Sequence, residues 1–574
     1  MKVSDYVAKF LEAQGVEVVF DVIGGMITHM IDSLHVQGTI RIVDVHHEQA
    51  AAFAAEAAAR ISGIPGIAMA TSGPGATNLL TGIGSCYFDS TPAVFITGQV
   101  NRNEQKGDRP IRQLGFQETD IVSMVLPITK AAWTINDPEQ IPEMLARAFE
   151  LALSGRPGPV LLDIPLDVQR MDIAMSPPHR LTIPNDLPPL DRSAISGLLD
   201  AVAKAQRPLI LVGGGVRSGR ATDVLRQFVR AIQVPVVNSL MAVDVIPADD
   251  PLRIGMIGSY GNRWANRAIG TADLLIVLGS RLDIRQTGAQ TEAFKGDRAI
   301  YHVDCDAGEI NNRVLDCVPI QTQLVDFLNA ALDQLKGRTM PAHEAWLTHI
   351  MAERAEWPDT EEIQGIPGIN PNAFMHALSR VSGAAAGFIV DVGQHQMWAA
   401  QSLDLHSEQR FLTSGGMGAM GFALPAALGA AVAQPGHPFV MIAGDGSFQL
   451  NLQELQTVVR NQLPLKLVII NNQTHGMVRQ FQQTYFEERY QSTYWGYSAP
   501  NFVQVAQAYG IAGATVSETE QLDDALALMW QDPNAPFLLQ VMIDTFANAY
   551  PKMAFGLPIT EMEPLAKPLD MEGT

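Results

Sequence analysis

Cysteine is scarce: Cys86, Cys305 and Cys317 are the only three among 574 residues. They are too few and too scattered for a disulfide framework or a zinc cage, so buried thiols are expected. Charge is also low, at 17% of residues against roughly 25% in an average soluble protein. What charge there is lacks a basic excess: 60 acidic against 39 basic side chains leave a net charge of -21. Nucleic acid and anionic membrane surfaces are poor partners for such a surface. Nor is there an uninterrupted apolar run of about 18 residues, the length a membrane span needs. Glu56 breaks the Ala-rich stretch 50–59, and Pro425 interrupts 421–433. The N-terminus opens into an amphipathic pattern without a signal-peptide core. A cytoplasmic, soluble protein with no membrane partner is the expectation.

What is present is hydrophobic and multidomain. Hydrophobic residues make up 47% of the chain, and disorder is excluded as its global state. So few charges over so much Ala, Val, Leu and Gly point to surface buried between domains and subunits. The length carries a prior of three or four domains at about 150 residues each. Short β-branched runs such as Ala93-Val94-Phe95-Ile96, Leu274-Leu275-Ile276-Val277-Leu278 and Leu465-Lys466-Leu467-Val468-Ile469-Ile470 alternate with helical patterns. Runs of this kind are buried on both faces, as parallel strands are, and most end at Gly, Asp or Asn. The fold class predicted is α/β, with doubly wound parallel-sheet domains.

Two proline-rich stretches lacking helical periodicity read as connections: 171–192, with Ser176-Pro177-Pro178, Pro184, Pro188 and Pro189, and 335–371, with Pro358 and Gly365-Ile366-Pro367-Gly368. They delimit domains at 1–170, 193–335 and 369–550, followed by a tail, 551–574. The first and third share a crude plan of Gly-rich turn, small-residue helix and apolar strand ending in Gly, a hint of related architecture.

The chemistry is written most clearly in the third block. Gly444-Asp445-Gly446-Ser447 follows a strand, and a helix-length gap later a second strand ends in Asn471-Asn472. A β-α-β unit returns Asp445 and Asn472 to one sheet edge, where a carboxylate and an amide oxygen suit a hard divalent cation such as Mg2+. Gly444 and Gly446 let backbone approach a diphosphate, and the helix beginning near Ser447 points N–H groups at it. An ordinary β-α turn is the alternative. The arrangement resembles the thiamin-diphosphate (ThDP) signature, which also requires a carboxylate from another domain at the cofactor's aminopyrimidine N1′. Glu48, in His46-His47-Glu48-Gln49 after the strand Ile42-Val43-Asp44-Val45, is the candidate. Read alone, it is a helix-start carboxylate favoured by the dipole.

From these residues outward the chain resembles the large catalytic subunit of acetolactate synthase. The strings that carry the resemblance are Thr71-Ser72-Gly73-Pro74-Gly75-Ala76-Thr77-Asn78, Phe116-Gln117-Glu118, Asp391-Val392-Gly393-Gln394-His395-Gln396-Met397-Trp398, Ser414-Gly415-Gly416-Met417-Gly418-Ala419-Met420-Gly421 and Gly476-Met477-Val478. The resemblance implies three domains of pyrimidine-binding, central FAD-binding and diphosphate-binding type. It further implies that the Gly418 carbonyl takes the aminopyrimidine amino group and that Met420 is the apolar wedge under the cofactor. Gln394, His395, Gly446, Ser447, His475 and Gly476 would hold the diphosphate, with Gly25, Pro74, Asn78 and Met477 as further contacts. Mg2+ would lie on Asp445, Asn472 and the Thr474 carbonyl.

The central block carries Gly213-Gly214-Gly215 after the strand 208–212, one position off the dinucleotide pattern. By resemblance it binds a non-redox FAD, with Arg281 and Asp304 as contacts, although related enzymes take ADP or nothing there.

The activity implied is decarboxylation of pyruvate and transfer of the two-carbon acyl-anion unit to an acceptor carbonyl. Phe116 and Gln117 match residues near the acceptor, and Arg285 matches an arginine for its carboxylate, a task suited to a guanidinium fork. An exposed ion pair is the alternative for Arg285. Two departures leave the acceptor open. Phe481 stands where a Trp is usual, and Ala549-Tyr550-Pro551-Lys552-Met553-Ala554-Phe555-Gly556 replaces a Gly-rich closing segment. Both resemble flavin-containing carboligases that add the unit to ketones or nucleotide-linked keto-sugars. A decarboxylase or flavin-linked pyruvate oxidase is a further rival, against which Phe116, Gln117 and Arg285 speak. A catalytically silent binding protein would be expected to have lost Glu48, Asp445 or Asn472. The family pattern implies a homodimer or homotetramer, and leaves a regulatory subunit open.

Overall fold

The computed structural model describes residues 1–174, 177–184 and 187–570. Ser176 of the first proline-rich stretch and residues 571–574 of the tail lie outside the described residues. The apolar runs become strands of three six-stranded sheets, and the expected doubly wound parallel architecture is borne out.

The first sheet comprises β1 (Val18–Val22), β2 (Arg41–Asp44), β3 (Gly66–Ala70), β4 (Ala93–Gln99), β5 (Ala131–Thr134) and β6 (Pro159–Pro165), ordered β2-β1-β3-β4-β6-β5. The central sheet comprises β7 (Pro208–Val212), β8 (Val236–Asn238), β9 (Arg253–Met256), β10 (Leu274–Leu278), β11 (Ala299–Asp304) and β12 (Val318–Gln321), ordered β12-β11-β10-β7-β8-β9. The third comprises β13 (Gly387–Val390), β14 (Arg410–Thr413), β15 (Phe439–Gly444), β16 (Leu465–Asn471), β17 (Ala512–Val516) and β18 (Phe537–Met542), ordered β14-β13-β15-β16-β18-β17. The first and third sheets have the same order, which gives the hinted likeness a structural basis. The central order is that of dinucleotide-binding folds. Every residue of β4, β6, β15 and β16 is buried, as strands covered by helices on both faces must be.

Strand order reverses between β1 and β3, between β7 and β10, and between β13 and β15. The loops leaving these pairs diverge to opposite faces and open a crevice. The register Val390↔Ile442 sets Asp391–His395 beside Gly444–Ser447. Val212↔Leu278 likewise sets Gly213–Gly215 beside Gly279–Arg281, and Val22↔Ala70 sets Gly24–Gly25 beside Thr71–Pro74.

The first and third domains meet through two small-residue helices, Glu48–Ser62 and Ala423–Ala433. All their alanines but the terminal Ala433 are buried, and Phe53 packs edge-on to Phe422 with centroids 5.4 Å apart. The backbones approach so closely that a Cβ on Gly429 would collide with the Ala54 carbonyl. One expectation needs correcting. The stretch 335–371 is not a bare connection, because Glu344–Glu356 is a helix whose Trp346 and Ile350 are buried against the central domain. Trp346 Nε1 also donates to the Pro208 carbonyl at 3.2 Å. The tail forms a small antiparallel pair, β19 (Lys552–Met553) and β20 (Met562–Glu563). It is anchored by buried Arg263, which is ion-paired with Glu362 at 2.6 Å and donates to the Met562 and Glu563 carbonyls.

Among the described residues no helix is long and apolar enough to cross a membrane. Gly429→Ala tests the helix contact. Alanine gains up to about 1 kcal/mol of helix propensity, but overpacking at a backbone contact costs about 1–3 kcal/mol. A fall in the thermal midpoint is expected, and a rise would contradict the packing described.

Candidate functional site

A cavity of about 510 Å³ opens at the β13/β15 reversal. Twelve residues singled out in the third domain line it together: Gln394, His395, Gly418, Met420, Asp445, Gly446, Ser447, Asn472, Thr474, His475, Gly476 and Met477. They come from four separate stretches of chain, and only the sheet topology unites them. Asp391, which the sequence reading did not single out by role, ties two of these stretches. Its carboxylate accepts the N–H groups of Val392 (2.8 Å), Gly421 (3.0 Å) and Ala423 (2.8 Å), so the turn carrying Gly418 and Met420 is held to the end of β13. Gln394 is fixed through Nε2, which donates to Gln480 Oε1 (3.1 Å) and the Ala547 carbonyl (3.0 Å).

The donor set fits a divalent cation beside an anion. Asp445 is buried, with the Tyr497 phenol as its side-chain partner at 2.9 Å. Burial pushes its carboxyl up to about 6, the mark of a carboxylate with too little positive charge around it. Asn472 Oδ1 accepts only a long bond from Thr474 N at 3.3 Å, and the Thr474 carbonyl accepts Gly476 N at 2.9 Å, leaving each oxygen a second lone pair. Burial holds His395 down to about 3, so its imidazole is neutral, and its Nε2 has no partner among the described residues. A Cβ on Gly446 would sit 2.7 Å from the His475 ring. Only glycine leaves that cradle open.

The first-domain candidates gather at the β1/β3 reversal instead. Glu48 opens its helix, is buried, and accepts from Asn78 Nδ2 at 2.9 Å, while Pro74 begins the short helix Pro74–Asn78 and Gly25 a 3-10 turn. None of these lines the cavity holding Asp445, whose wall comes from the third and central domains alone. Phe116 is 80% exposed, and Gln117 takes a left-handed φ of 65°. Their loop is closed by Glu118, which accepts from Lys106 N (2.6 Å) and Leu114 N (2.8 Å). Within one chain, then, the structure does not bring Glu48, Phe116 or Gln117 to the Asp445 cavity.

A second cavity, of about 1050 Å³, lies at the β7/β10 reversal. Gly214, Gly215, Arg281 and Asp304 line it; Gly213 sits behind, where a Cβ would meet Ser280. Gly215 serves close packing of the two loops, since its Cβ would lie 2.8 Å from Gly279 Cα. The volume suits a large cofactor. Asp304 is buried and pushed up to about 6. Arg285, Tyr260 and Met397 line both cavities, so Arg285 stands where the two adjoin. Its guanidinium has no hydrogen bond or ion pair among the described residues. Phe481 lines neither cavity. It packs on Tyr485 (4.9 Å between centroids) and Phe486 (5.7 Å), and Tyr485 in turn meets Phe555 of the tail.

Comparison with known proteins matches residues 1–124 to the thiamine pyrophosphate enzyme N-terminal TPP binding domain. Residues 195–335 match the central domain of the same enzymes, and residues 391–541 the C-terminal TPP binding domain. The chain is 39% identical to the acetolactate synthase isozyme 2 large subunit of Escherichia coli (strain K12), over 98% of this chain and 99% of that protein. It is 39% identical to the acetolactate synthase large subunit of Parasynechococcus marenigrum (strain WH8102), over 96% and 89%. To the chloroplastic acetolactate synthase 2 of Nicotiana tabacum it is 37% identical, over 97% and 84%.

The raised carboxyl of Asp445 makes a pH prediction. In the cation-free fold its protonated form is favoured, so its stabilising contribution is complete below the ordinary carboxylate range and is lost as pH rises through about 6. A divalent cation favours the carboxylate, so proton and cation compete. Mg2+ affinity, read from the shift in thermal midpoint, should fall about tenfold per pH unit below 6, and Asp445→Asn should abolish the shift. Equal Mg2+ responses at about pH 5 and about pH 7.5 would contradict the assignment.

Proposed function

Since the chain belongs to the acetolactate synthase large-subunit family of thiamine pyrophosphate enzymes, we propose that it condenses two molecules of pyruvate to 2-acetolactate with release of CO2. The observation that carries this reading is the convergence of twelve residues from four stretches on one cavity, with Arg285 unpartnered at its edge. When bound, ThDP supplies an acidic carbon that adds to the keto acid and an electron sink for decarboxylation.

The chain's own residues do the rest. Asp445, Asn472 and the Thr474 carbonyl would hold Mg2+; His395, Gly446, Ser447, His475 and Gly476 would hold the diphosphate. Burial keeps His395 neutral, so it would bring no charge of its own to the diphosphate. The Gly418 carbonyl and Met420 position the aminopyrimidine. Glu48, in its buried setting, would offer its carboxyl group to the pyrimidine N1′. Arg285 offers its free fork to the carboxylate of the acceptor pyruvate. The larger cavity would take FAD as a non-redox group, with Gly214, Gly215, Arg281 and Asp304 on it.

Because Glu48 lies outside the Asp445 cavity of its own chain, a second copy completes the site, as a homodimer or a pair of dimers. The exposed Phe116 and Leu114, and Ile23 beside the β1 loop, supply apolar surface for that contact. Two of these relatives are named large subunits, which supports a companion regulatory subunit here too. A cytoplasmic location accords with the bacterial relative.

Purified protein given labelled pyruvate, ThDP, Mg2+ and FAD should yield 2-acetolactate by mass spectrometry. Glu48→Gln should lower kcat by roughly 10²–10⁴ without unfolding the protein. Acetaldehyde or acetate as sole product, or coupling only to ketones or keto-sugars, would overturn the reading.

A further inference from the structure

Tyr497 lies outside every motif that marked the site, in the loop 486–501 between the helices Gly476–Tyr485 and Phe502–Ala508. That loop is stitched to the cavity wall. The Thr493 carbonyl accepts both His475 N (3.0 Å) and Thr474 Oγ1 (2.8 Å), and the Tyr497 and Trp495 amides bond within the loop. The half-buried Tyr497 is thereby placed over two site residues at once. Its hydroxyl donates to Asp445 Oδ2 at 2.9 Å, and its ring packs edge-to-face on His475 with centroids 4.5 Å apart. The phenol fixes the carboxylate through Oδ2, and Oδ1 has no side-chain partner among the described residues. Outer partners of this kind fix the orientation of a ligating carboxylate.

Building on the thiamin-diphosphate reading above, we infer that Tyr497 is a positioning residue: its hydroxyl orients Asp445 for the cation, and its ring orients His475 for the diphosphate. The two roles separate by substitution. Tyr497→Phe keeps the ring on His475 and removes only the hydroxyl. Tyr497→Leu removes both. Tyr494, exposed on the same loop and packed on Phe546 (5.7 Å between centroids), serves as the control.

The test is calorimetric titration of ThDP into the full-length protein over a series of Mg2+ concentrations, with the thermal midpoint of the cofactor-free protein measured in parallel. Tyr497→Phe should weaken Mg2+ about 10–100-fold, regain wild-type ThDP affinity at saturating Mg2+, and leave the cofactor-free midpoint unchanged. Tyr497→Leu should bind ThDP more weakly even at saturating Mg2+, and Tyr494→Phe should match wild type. A Tyr497→Phe protein with the wild-type Mg2+ requirement overturns the inference while leaving the function standing. So does a loss that Mg2+ cannot repair and that tracks a lowered midpoint. A wild-type protein that binds no ThDP with Mg2+ overturns both.

Discussion

The contact between helices Glu48–Ser62 and Ala423–Ala433 governs the rest of the structure. Backbone meets backbone there because the facing residues are alanine and glycine, and a larger side chain at Gly429 has no room. This fastens the first domain to the third of the same chain and fixes where their loops emerge. Polar contacts lock the arrangement: Asp89 accepts Gly415 N (2.9 Å) and Gly416 N (2.7 Å), and Arg60 donates to the Thr413 carbonyl at 2.8 Å. With the domains held so, Glu48 does not reach the Asp445 cavity of its own chain. The small-residue composition and low charge therefore bear directly on the chemistry, since they hold Glu48 away from the Asp445 cavity of its own chain.

Electrostatics at the strand-order reversals of the central and third sheets follow from burial. Asp391, Asp445 and Asp304 are each pushed up to about 6 by desolvation, yet their surroundings assign them different work. Asp391 spends its oxygens on backbone N–H groups of neighbouring turns and so fixes geometry. Asp445 has a neutral phenol as its side-chain partner and faces a cavity beside two carbonyl-type oxygens, which suits the cation-ligand role proposed for it.

Much of this was legible in the sequence because parallel strands buried on both faces leave continuous apolar runs, and because loops at their carboxyl ends need glycine. Gly444–Ser447 and Asn472 are such loops, and the parallel pair β15 and β16 delivers them to one edge, as expected. The helix Glu344–Glu356 was not legible, because its buried anchors are little more than Trp346 and Ile350 on an otherwise polar helix between proline clusters. Tyr497 was hidden for another reason: a loop tyrosine carries no periodicity, and only tertiary folding sets it on Asp445. Phe481 matched a pocket residue by position, yet it packs among aromatics shared with the tail.

The central claim, a site divided between two copies, is tested most directly by complementation. Chains carrying Glu48→Gln and chains carrying Asp445→Asn would be produced together and the mixed assemblies assayed for 2-acetolactate. Each variant alone should keep about a hundredth of wild-type activity or less. A mixed dimer pairs the intact Glu48 of one chain with the intact Asp445 of the other, so random association should restore about a quarter of the wild-type sites. Activity no higher than that of either variant alone would show that each chain builds its site from its own residues, and would contradict the account.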